Sequence, residues 1–147
     1  MNSHSVSVRS QRDRVVPEII LWGEASWWPK NCQMRFTRTN APGVVKKGTR
    51  YRQSVLLPFA PSWNVEVTMV TPSSITRTFL DGMFRGHETV SVKSESEGML
   101  VRYEMFYDLK GPLNKILWPL IFQRMHDANI EMILKSLKEH CETRERS

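Results

Sequence analysis

Hydrophobic positions along this chain follow two periods, and the change from one to the other divides the sequence into predicted elements. Seven segments alternate apolar and polar residues or come close to it, at 4–9, 32–37, 49–57, 63–71, 75–84, 87–94 and 99–110. A period of two is typical of a half-buried β-strand. Because short links join the last six segments, we predict consecutive antiparallel strands, since parallel neighbours need longer crossovers.

The segment from Gly111 to about Glu142 has a helical period instead. Its apolar residues recur three or four positions apart, at Ile116, Leu120, Ile130, Ile133, Leu134, Leu137 and Cys141. This spacing predicts a long helix with one stripe facing a core. Pro119 cannot donate a backbone hydrogen bond, so either the regular helix begins there or its first turns are kinked. His126 and Asp127 interrupt the stripe, and they lie either on its solvated edge or facing a pocket.

Two short helices are predicted between the first two strands. Ser10-Gln11-Arg12-Asp13 resembles a capping box, which would start the first helix. Pro17 implies a late start or a kink in that helix. Trp27-Trp28-Pro29 predicts a second short helix or turn, whose paired indoles either plug one end of a core or stack on a ligand. The whole order is one strand, two short helices, six strands and a long helix, an α+β fold.

Composition supports one globular domain over residues 1–147, with 40% hydrophobic and 24% charged residues. The sequence shows no apolar stretch of membrane-spanning length and no hydrophobic core of a signal peptide, which predicts a cytoplasmic protein. Cys32 and Cys141 are therefore expected to be free, buried thiols. The sequence contains no CxxC, HExxH or His/Cys cluster, so we expect no metal site and no cofactor.

The net charge of +6 is concentrated in the first third of the chain. Residues 1–52 hold ten Lys and Arg against three Asp and Glu, and the remainder holds eleven against twelve. This basic third either docks an acidic protein or an anionic membrane surface, or is a solvated surface without a dedicated partner. It carries no nucleic-acid-binding signature, so no nucleic-acid partner is expected.

In this order of elements the chain resembles the START-like superfamily, also called SRPBCC or the polyketide cyclase/dehydrase and lipid transport group. Five local features carry the resemblance along nearly the whole chain: Trp27-Trp28-Pro29, Gly48-Thr49-Arg50-Tyr51, the Gly82 and Gly86 pair, Leu100-Val101-Arg102-Tyr103-Glu104 and Gly111-Pro112-Leu113. The resemblance implies a helix-grip fold, in which a curved seven-stranded antiparallel sheet wraps the long C-terminal helix and leaves a hydrophobic cavity between them. It supplies no catalytic set, because the superfamily shares a cavity and not a reaction. Pro17, and Met99 with Leu100 where a threonine often stands, depart from the family's pattern.

Strand parity then predicts an apolar ligand-binding lining with a few polar tips. On the strands and the helix we expect it to comprise Tyr51, Gln53, Val55, Trp63, Val65, Val67, Met69, Arg77, Val90, Val92, Tyr103, Met105, Tyr107, Phe122, His126 and Ile130. Ligand pockets of this kind typically enclose about 300 to 1,000 Å³. Polar residues interrupt both faces of the 75–84 segment, so the pattern leaves open which face lines the cavity. Arg77 lies on one of these two faces.

Two functions fit such a cavity. The first is a binding protein for a small hydrophobic molecule, either lipid-like or polycyclic. The alternative is a polyketide cyclase or dehydratase, in which Glu88, His126, Tyr103 or Tyr107 would move protons. A carboxyl group desolvated at Glu88 would have a raised pKa unless an arginine pairs with it. We favour binding, because no residue pair in the sequence indicates acid–base chemistry.

Overall fold

Seven antiparallel strands form one sheet in the computed structural model, which describes residues 1–58 and 60–146. Their bounds are β1 Asn2–Val8, β2 Met34–Arg38, β3 Arg50–Val55, β4 Ser62–Thr71, β5 Ser74–Phe79, β6 Phe84–Glu95 and β7 Gly98–Leu109. Strands β2 to β7 pair in chain order, and β1 pairs with β7. The predicted antiparallel meander is confirmed.

Helices cover the inner face of this sheet. They are α1 Arg12–Ile20, α2 Pro112–Leu117, a π-helical segment Trp118–Phe122 and α3 Gln123–Arg146. The last three follow each other without a break, so they make up the long C-terminal helix of the predicted helix-grip fold. None of the helices in the described part of the chain is both long enough and apolar enough to span a membrane.

The connection from β1 to β2 differs from its prediction in two details. Gln11, not Ser10, is the N-cap residue of α1, and the Gln11 side chain makes no capping hydrogen bond. Residues 21–29 form turns, so the turn alternative holds at Trp27-Trp28-Pro29 and the second short helix of the predicted order is absent there. Pro17 is accommodated inside α1, where its carbonyl accepts a hydrogen bond from the Leu21 N–H.

Glycine shapes the sheet at the β5–β6 turn and beside it. The predicted strand over 75–84 ends at Phe79, and Gly82 lies in the turn with a φ of 83°. Gly86 has a φ of 139°, and a Cβ atom there would lie 2.0 Å from the Phe106 carbonyl oxygen. Only glycine permits this approach of β6 to β7 without displacing the backbone.

The prediction that Met69 faces the interior is wrong. A register shift between Val67 and Met69 interrupts the pairing of β4 with β5. Beyond it Met69 pairs with Thr76 and is 55% exposed, whereas Val67 is fully buried. A β-bulge adds one residue to a strand and so reverses the parity of the residues that follow.

The apolar stripe of the C-terminal helix also changes direction. In α3 it is buried, as predicted, at Ile130, Ile133, Leu134, Leu137 and Cys141. Ile116 and Leu120, which were expected on the same buried stripe, are 56% and 73% exposed. The π-helical segment lies between the two halves, and the Gln123 N–H donates there to the Trp118 carbonyl five residues earlier. The wider turn changes the helical phase, so one stripe cannot continue through it.

Candidate functional site

Five buried polar or aromatic side chains meet between the sheet and α3, and we call them the interior polar cluster: Gln53, Trp63, Glu88, Tyr103 and His126. The Gln53 Nε2 donates to Glu88 Oε1 at 2.7 Å, and the Tyr103 hydroxyl donates to Glu88 Oε2 at 2.8 Å. Trp63 Nε1 donates to Gln53 Oε1 at 2.6 Å. The Tyr103 hydroxyl also lies 3.4 Å from His126 Nε2. These contacts join four strands to the C-terminal helix.

Strand pairing explains how the cluster assembles. Gln53 and Trp63 are direct partners in the β3–β4 ladder, which places both side chains on one face. On β6, Glu88 has the inward parity of Val90 and Val92, and all three side chains are buried. Tyr103 on β7 is fully buried, and His126 reaches it from α3.

The hydrogen bonds of the cluster have a common direction. Gln53 and Tyr103 each donate to a different oxygen of Glu88. Trp63 in turn donates to the Gln53 carbonyl oxygen and so fixes the orientation of its amide. Such a pattern suits an ionised carboxylate, which only accepts hydrogen bonds. Because Tyr103 gives its proton to Glu88, its contact with His126 requires that Nε2 of the imidazole carry a proton. The Nδ1 atom of His126 is then the unprotonated acceptor.

Arg77 is a second buried charge beside Glu88. The two residues are direct partners in the β5–β6 ladder, and Arg77 is fully buried, as its predicted inward direction requires. Its Nη2 donates to the Trp22 carbonyl at 3.1 Å, whereas Nε and Nη1 have no hydrogen-bond partner among the described residues. The guanidinium lies 5.3 Å from the ring centre of Tyr51 and 5.8 Å from that of Phe36. These ring faces stabilise the cation in a dry environment.

Burial sets the protonation of the cluster. Desolvation lowers the pKa of His126 to about 4, so its imidazole is neutral at pH 7. Desolvation raises the pKa of Glu88, and the positive charge of Arg77 and the hydrogen bonds from Tyr103 and Gln53 oppose that shift. The pKa of Tyr103 lies well above its ordinary value because of burial and the adjacent Glu88. The cluster thus offers a neutral base next to a phenol that retains its proton.

A small apolar cavity adjoins this cluster. Its wall consists of Met34, Val55, Pro61, Trp63, Met83, Trp118, Phe122, Met125 and His126. Trp63 and His126 belong to both the wall and the cluster. The cavity measures about 10 Å³, which is about the space that one water molecule needs. It lies where the sequence predicts a cavity, but the wall side chains nearly fill it in this structure.

The residues of the predicted lining therefore have four different outcomes. Four residues line the cavity, namely Val55, Trp63, Phe122 and His126. Most others are buried in the surrounding core, namely Tyr51, Gln53, Val65, Val67, Arg77, Val90, Val92, Tyr103, Met105 and Ile130. Tyr107 is half-buried, and its hydroxyl accepts a hydrogen bond from Trp118 Nε1 at 2.9 Å. Met69 points away from the interior.

The catalytic candidates divide in the same way. Glu88, Tyr103 and His126 come together in the cluster, while Tyr107 contacts Trp118 on the π-helical segment. His126 alone among these four lines the cavity in the described part of the chain. Asp127, its neighbour, accepts hydrogen bonds from Asn2 and His4 and so fastens α3 to β1.

The sequence pattern did not predict several residues of the cavity wall. Met83 and Pro61 lie in loops, where strand parity gives no direction, and Trp118 and Met125 lie on either side of the helical phase change. The helical spacing from Val15 and Ile19 could have indicated Trp22, which is fully buried. Its ring stacks on Tyr103 at 5.9 Å between ring centres.

A second group of aromatic rings, none of which lines the cavity, packs around Trp22. Trp22 contacts Trp27 and Trp28 edge-on, at 6.2 and 5.4 Å between ring centres. Trp27 Nε1 donates to Glu18, and Trp28 Nε1 donates to the Met34 carbonyl. The indoles are thus the predicted plug. Among the described residues no three His, Cys, Asp or Glu side chains are grouped to hold a metal ion, and Cys32 and Cys141 are free, buried thiols as predicted.

Solved structures share this architecture over nearly the whole chain. A Thermus thermophilus protein, TTHA0849, matches with a TM-score of 0.69 and 21% identity over 93% of both chains. Norcoclaurine synthase from Thalictrum flavum, solved with dopamine and hydroxybenzaldehyde, matches with a TM-score of 0.66 and 17% identity, over 95% of this chain and 86% of its own.

A third structure is the di-domain ARO/CYC protein StfQ of the steffimycin biosynthetic pathway. It matches with a TM-score of 0.69 and 15% identity, over 99% of this chain and 51% of its own. No family model matches the sequence, and a search of the curated proteins finds no match. At these identities the likeness shows the fold alone, and it confirms the predicted helix-grip architecture.

Proposed function

We propose that this protein binds a small, largely apolar molecule that carries one polar group, between its sheet and its C-terminal helix. The observation that carries the proposal is the contact between the apolar cavity and the interior polar cluster through Trp63 and His126. Rings and methionines would surround the apolar body of the ligand, and His126 would orient its polar group. Norcoclaurine synthase, solved with two small aromatic molecules on the same fold, supports this size class.

Binding requires the cavity to widen, because its present volume of about 10 Å³ holds no organic molecule. The wall is suited to this. Met34, Met83 and Met125 are unbranched and adopt alternative rotamers readily. The π-helical segment carries Trp118 and Phe122 on the same wall, and such segments often mark functional sites. We expect the ligand to displace these side chains and not the strands.

A matched pair of variants tests the proposal. N-phenyl-1-naphthylamine, a neutral apolar fluorophore, is expected to bind saturably with one site per chain. Met125→Trp fills the cavity wall and should weaken its binding by about tenfold or more. Met69→Trp makes the same change on the exposed face of β4 and should leave binding unaltered. Absence of saturable binding, or an equal loss in both variants, would refute the proposal.

Proton transfer is the second candidate, and the Tyr103–His126 contact favours it. The neutral imidazole could accept a proton from an activated C–H next to a carbonyl, with its Nδ1 as the base. Glu88 does not line the cavity, so its role would be to hold Tyr103 and not to touch the substrate. Turnover of an aromatic polyketide substrate that survives both Glu88→Gln and His126→Ala would exclude these assignments.

A protein partner for the basic first third of the chain stays a prediction. Part of its charge is engaged within the fold, since Arg38 pairs with Glu24 at 2.7 Å and Arg50 with Glu66 at 2.9 Å. Lys46 and Lys47 are exposed in the β2–β3 loop. If an acidic protein docks there, Lys47→Glu should weaken the association, and so should added salt. Association that persists unchanged in high salt would argue against it.

A further inference from the structure

Large apolar side chains are exposed together at one edge of the molecule, and we call this set the exposed apolar rim. Its members are between 40% and 73% exposed, and they are Leu56, Leu57, Leu80, Leu113, Ile116, Leu120 and Ile121. Scattered exposed leucines are ordinary, but several that the fold brings to one end of the molecule indicate an interaction surface. The proposed ligand site does not account for them, because none lines the cavity.

The topology brings these residues to the same end of the sheet's strands. In an antiparallel meander the β3–β4, β5–β6 and β7–α2 connections all leave the sheet at the same end. The Lys110 N–H donates to the Met83 carbonyl at 2.9 Å, which joins the last two connections directly. Pro61 and Met83 also share a cavity wall with Trp118 of the π-helical segment. The rim therefore lies next to the cavity wall.

Positive charges outnumber negative ones beside the rim. Residues 110–126 include Lys110, Lys115 and Arg124 and no Asp or Glu. Asp81 lies at the same end, where two hydrogen bonds from Asn64 lower its pKa and keep it ionised, and Asp108 is exposed near the end of β7. The three basic residues outnumber these two carboxylates. A helix with exposed Leu and Ile on one side and basic residues among them is the pattern of a segment that lies in a membrane interface. Positive charge on every copy, with a net charge of +6, opposes self-association through the same face.

We propose that the exposed apolar rim docks on an anionic lipid bilayer. The leucine and isoleucine side chains of α2 and the π-helical segment would enter the boundary between head groups and acyl chains. Lys115 and Arg124 would contact the anionic head groups. The cavity wall would then face the lipid, so an apolar ligand could pass between the bilayer and the interior without crossing water.

Vesicle sedimentation tests this with the full chain and no added ligand. The protein should pellet with vesicles of phosphatidylcholine mixed with phosphatidylserine, and much less with phosphatidylcholine alone. Leu120→Asp should lower the partition coefficient by about tenfold or more. Val44→Asp is the matched control. Val44 is 84% exposed but lies in the β2–β3 loop, at the opposite end of the strands. Neither change touches the core, so both variants should fold.

A second pair of variants separates the rim from the basic first third. Lys115→Glu should weaken binding to the anionic vesicles, and Lys47→Glu should not. The reverse result, loss with Lys47→Glu alone, would overturn the proposal, as would absence of binding to anionic vesicles. Sedimentation equilibrium covers the competing occupant: a dimer that Leu120→Asp dissociates, without vesicle binding, would show that the rim pairs two copies of the chain. Met125→Trp changes the cavity wall and leaves the rim intact, so it should weaken ligand binding without weakening vesicle binding. The ligand-binding proposal and the membrane proposal can therefore be refuted separately.

Discussion

The two halves of the C-terminal helix have the same apolar spacing and opposite surroundings. In α3, Ile133 and Leu137 are fully buried against the sheet. In α2 and the π-helical segment, Ile116 and Leu120 are 56% and 73% exposed, and the buried residue is Trp118. The first half thus presents apolar residues on two sides, whereas the second half presents them on one.

This difference shows which half holds the fold together and which half is available for function. The α3 stripe fills the core, so its side chains contribute to the free energy of unfolding. The α2 and π-helical half meets the sheet through Trp118 and Phe122, beside a cavity, and its remaining apolar surface meets solvent. A segment with fewer buried contacts opens at a lower free energy. We therefore expect the ligand entrance and the exposed apolar rim to move together.

Truncating one isoleucine in each half should give the largest contrast. Ile133→Ala removes buried methyl groups and should lower the free energy of unfolding by about 2 to 5 kcal/mol. Ile116→Ala removes exposed ones and should change it by less than about 0.5 kcal/mol. Urea unfolding followed by circular dichroism measures both. Equal losses would mean that the first half is packed as tightly as the second.

The next largest effect concerns His126, at the start of α3. Its pKa of about 4 in the folded protein lies below the ordinary value of 6.5, so the unfolded chain binds a proton that the folded protein excludes. Stability is complete above about pH 6.5 and falls as the pH drops towards 4. Between pH 7.5 and 4.5 this group should cost about 2.5 kcal/mol.

His126→Gln provides the reference for that loss. Urea unfolding at the two pH values should show a drop in the wild type that is larger than the drop in the variant by about 2.5 kcal/mol. Wild type and variant share all other titratable groups, including Glu88, so the comparison cancels the contribution of those groups to the pH dependence. Identical pH dependence in both proteins would show that His126 is solvated, contrary to its buried position.

A smaller effect should come from the bond that fastens the π-helical segment to β7. Tyr107→Phe leaves the buried Trp118 Nε1–H without its acceptor and should cost about 1 to 2 kcal/mol. Trp118→Phe removes the donor as well, so in the double variant the two losses should not add. Strict additivity in thermal unfolding would mean that the Trp118–Tyr107 bond does not form in solution.

The sequence predicted the sheet and the C-terminal helix because both depend on regular spacing. Alternation placed Gln53, Trp63 and Tyr103 on the inner face, and strand parity placed Glu88 there as well. Regular spacing cannot reveal an interruption, which is why the bulge that exposes Met69 was missed. The wider turn after Pro119 reversed the direction of Ile116 and Leu120 for the same reason.

The size of the cavity could not be predicted from the sequence, for a different reason. Parity says which side chains face inward, but the free space depends on how those side chains pack together. Met83 comes from a loop and Met125 from the helix, and both enter the space that the strand residues leave between them. The chain of hydrogen bonds through Glu88 likewise depends on distances that a pattern of residue types does not fix.

The five tryptophans allow the most direct test, because two of them line the cavity and three do not. Trp63 and Trp118 line the cavity, while Trp22, Trp27 and Trp28 form the plug. In a ¹H–¹⁵N correlation spectrum titrated with N-phenyl-1-naphthylamine, the indole N–H signals of the first pair should shift saturably and the other three should stay in place. Shifts confined to the plug, or no saturable shift at all, would contradict a ligand site between the sheet and the C-terminal helix.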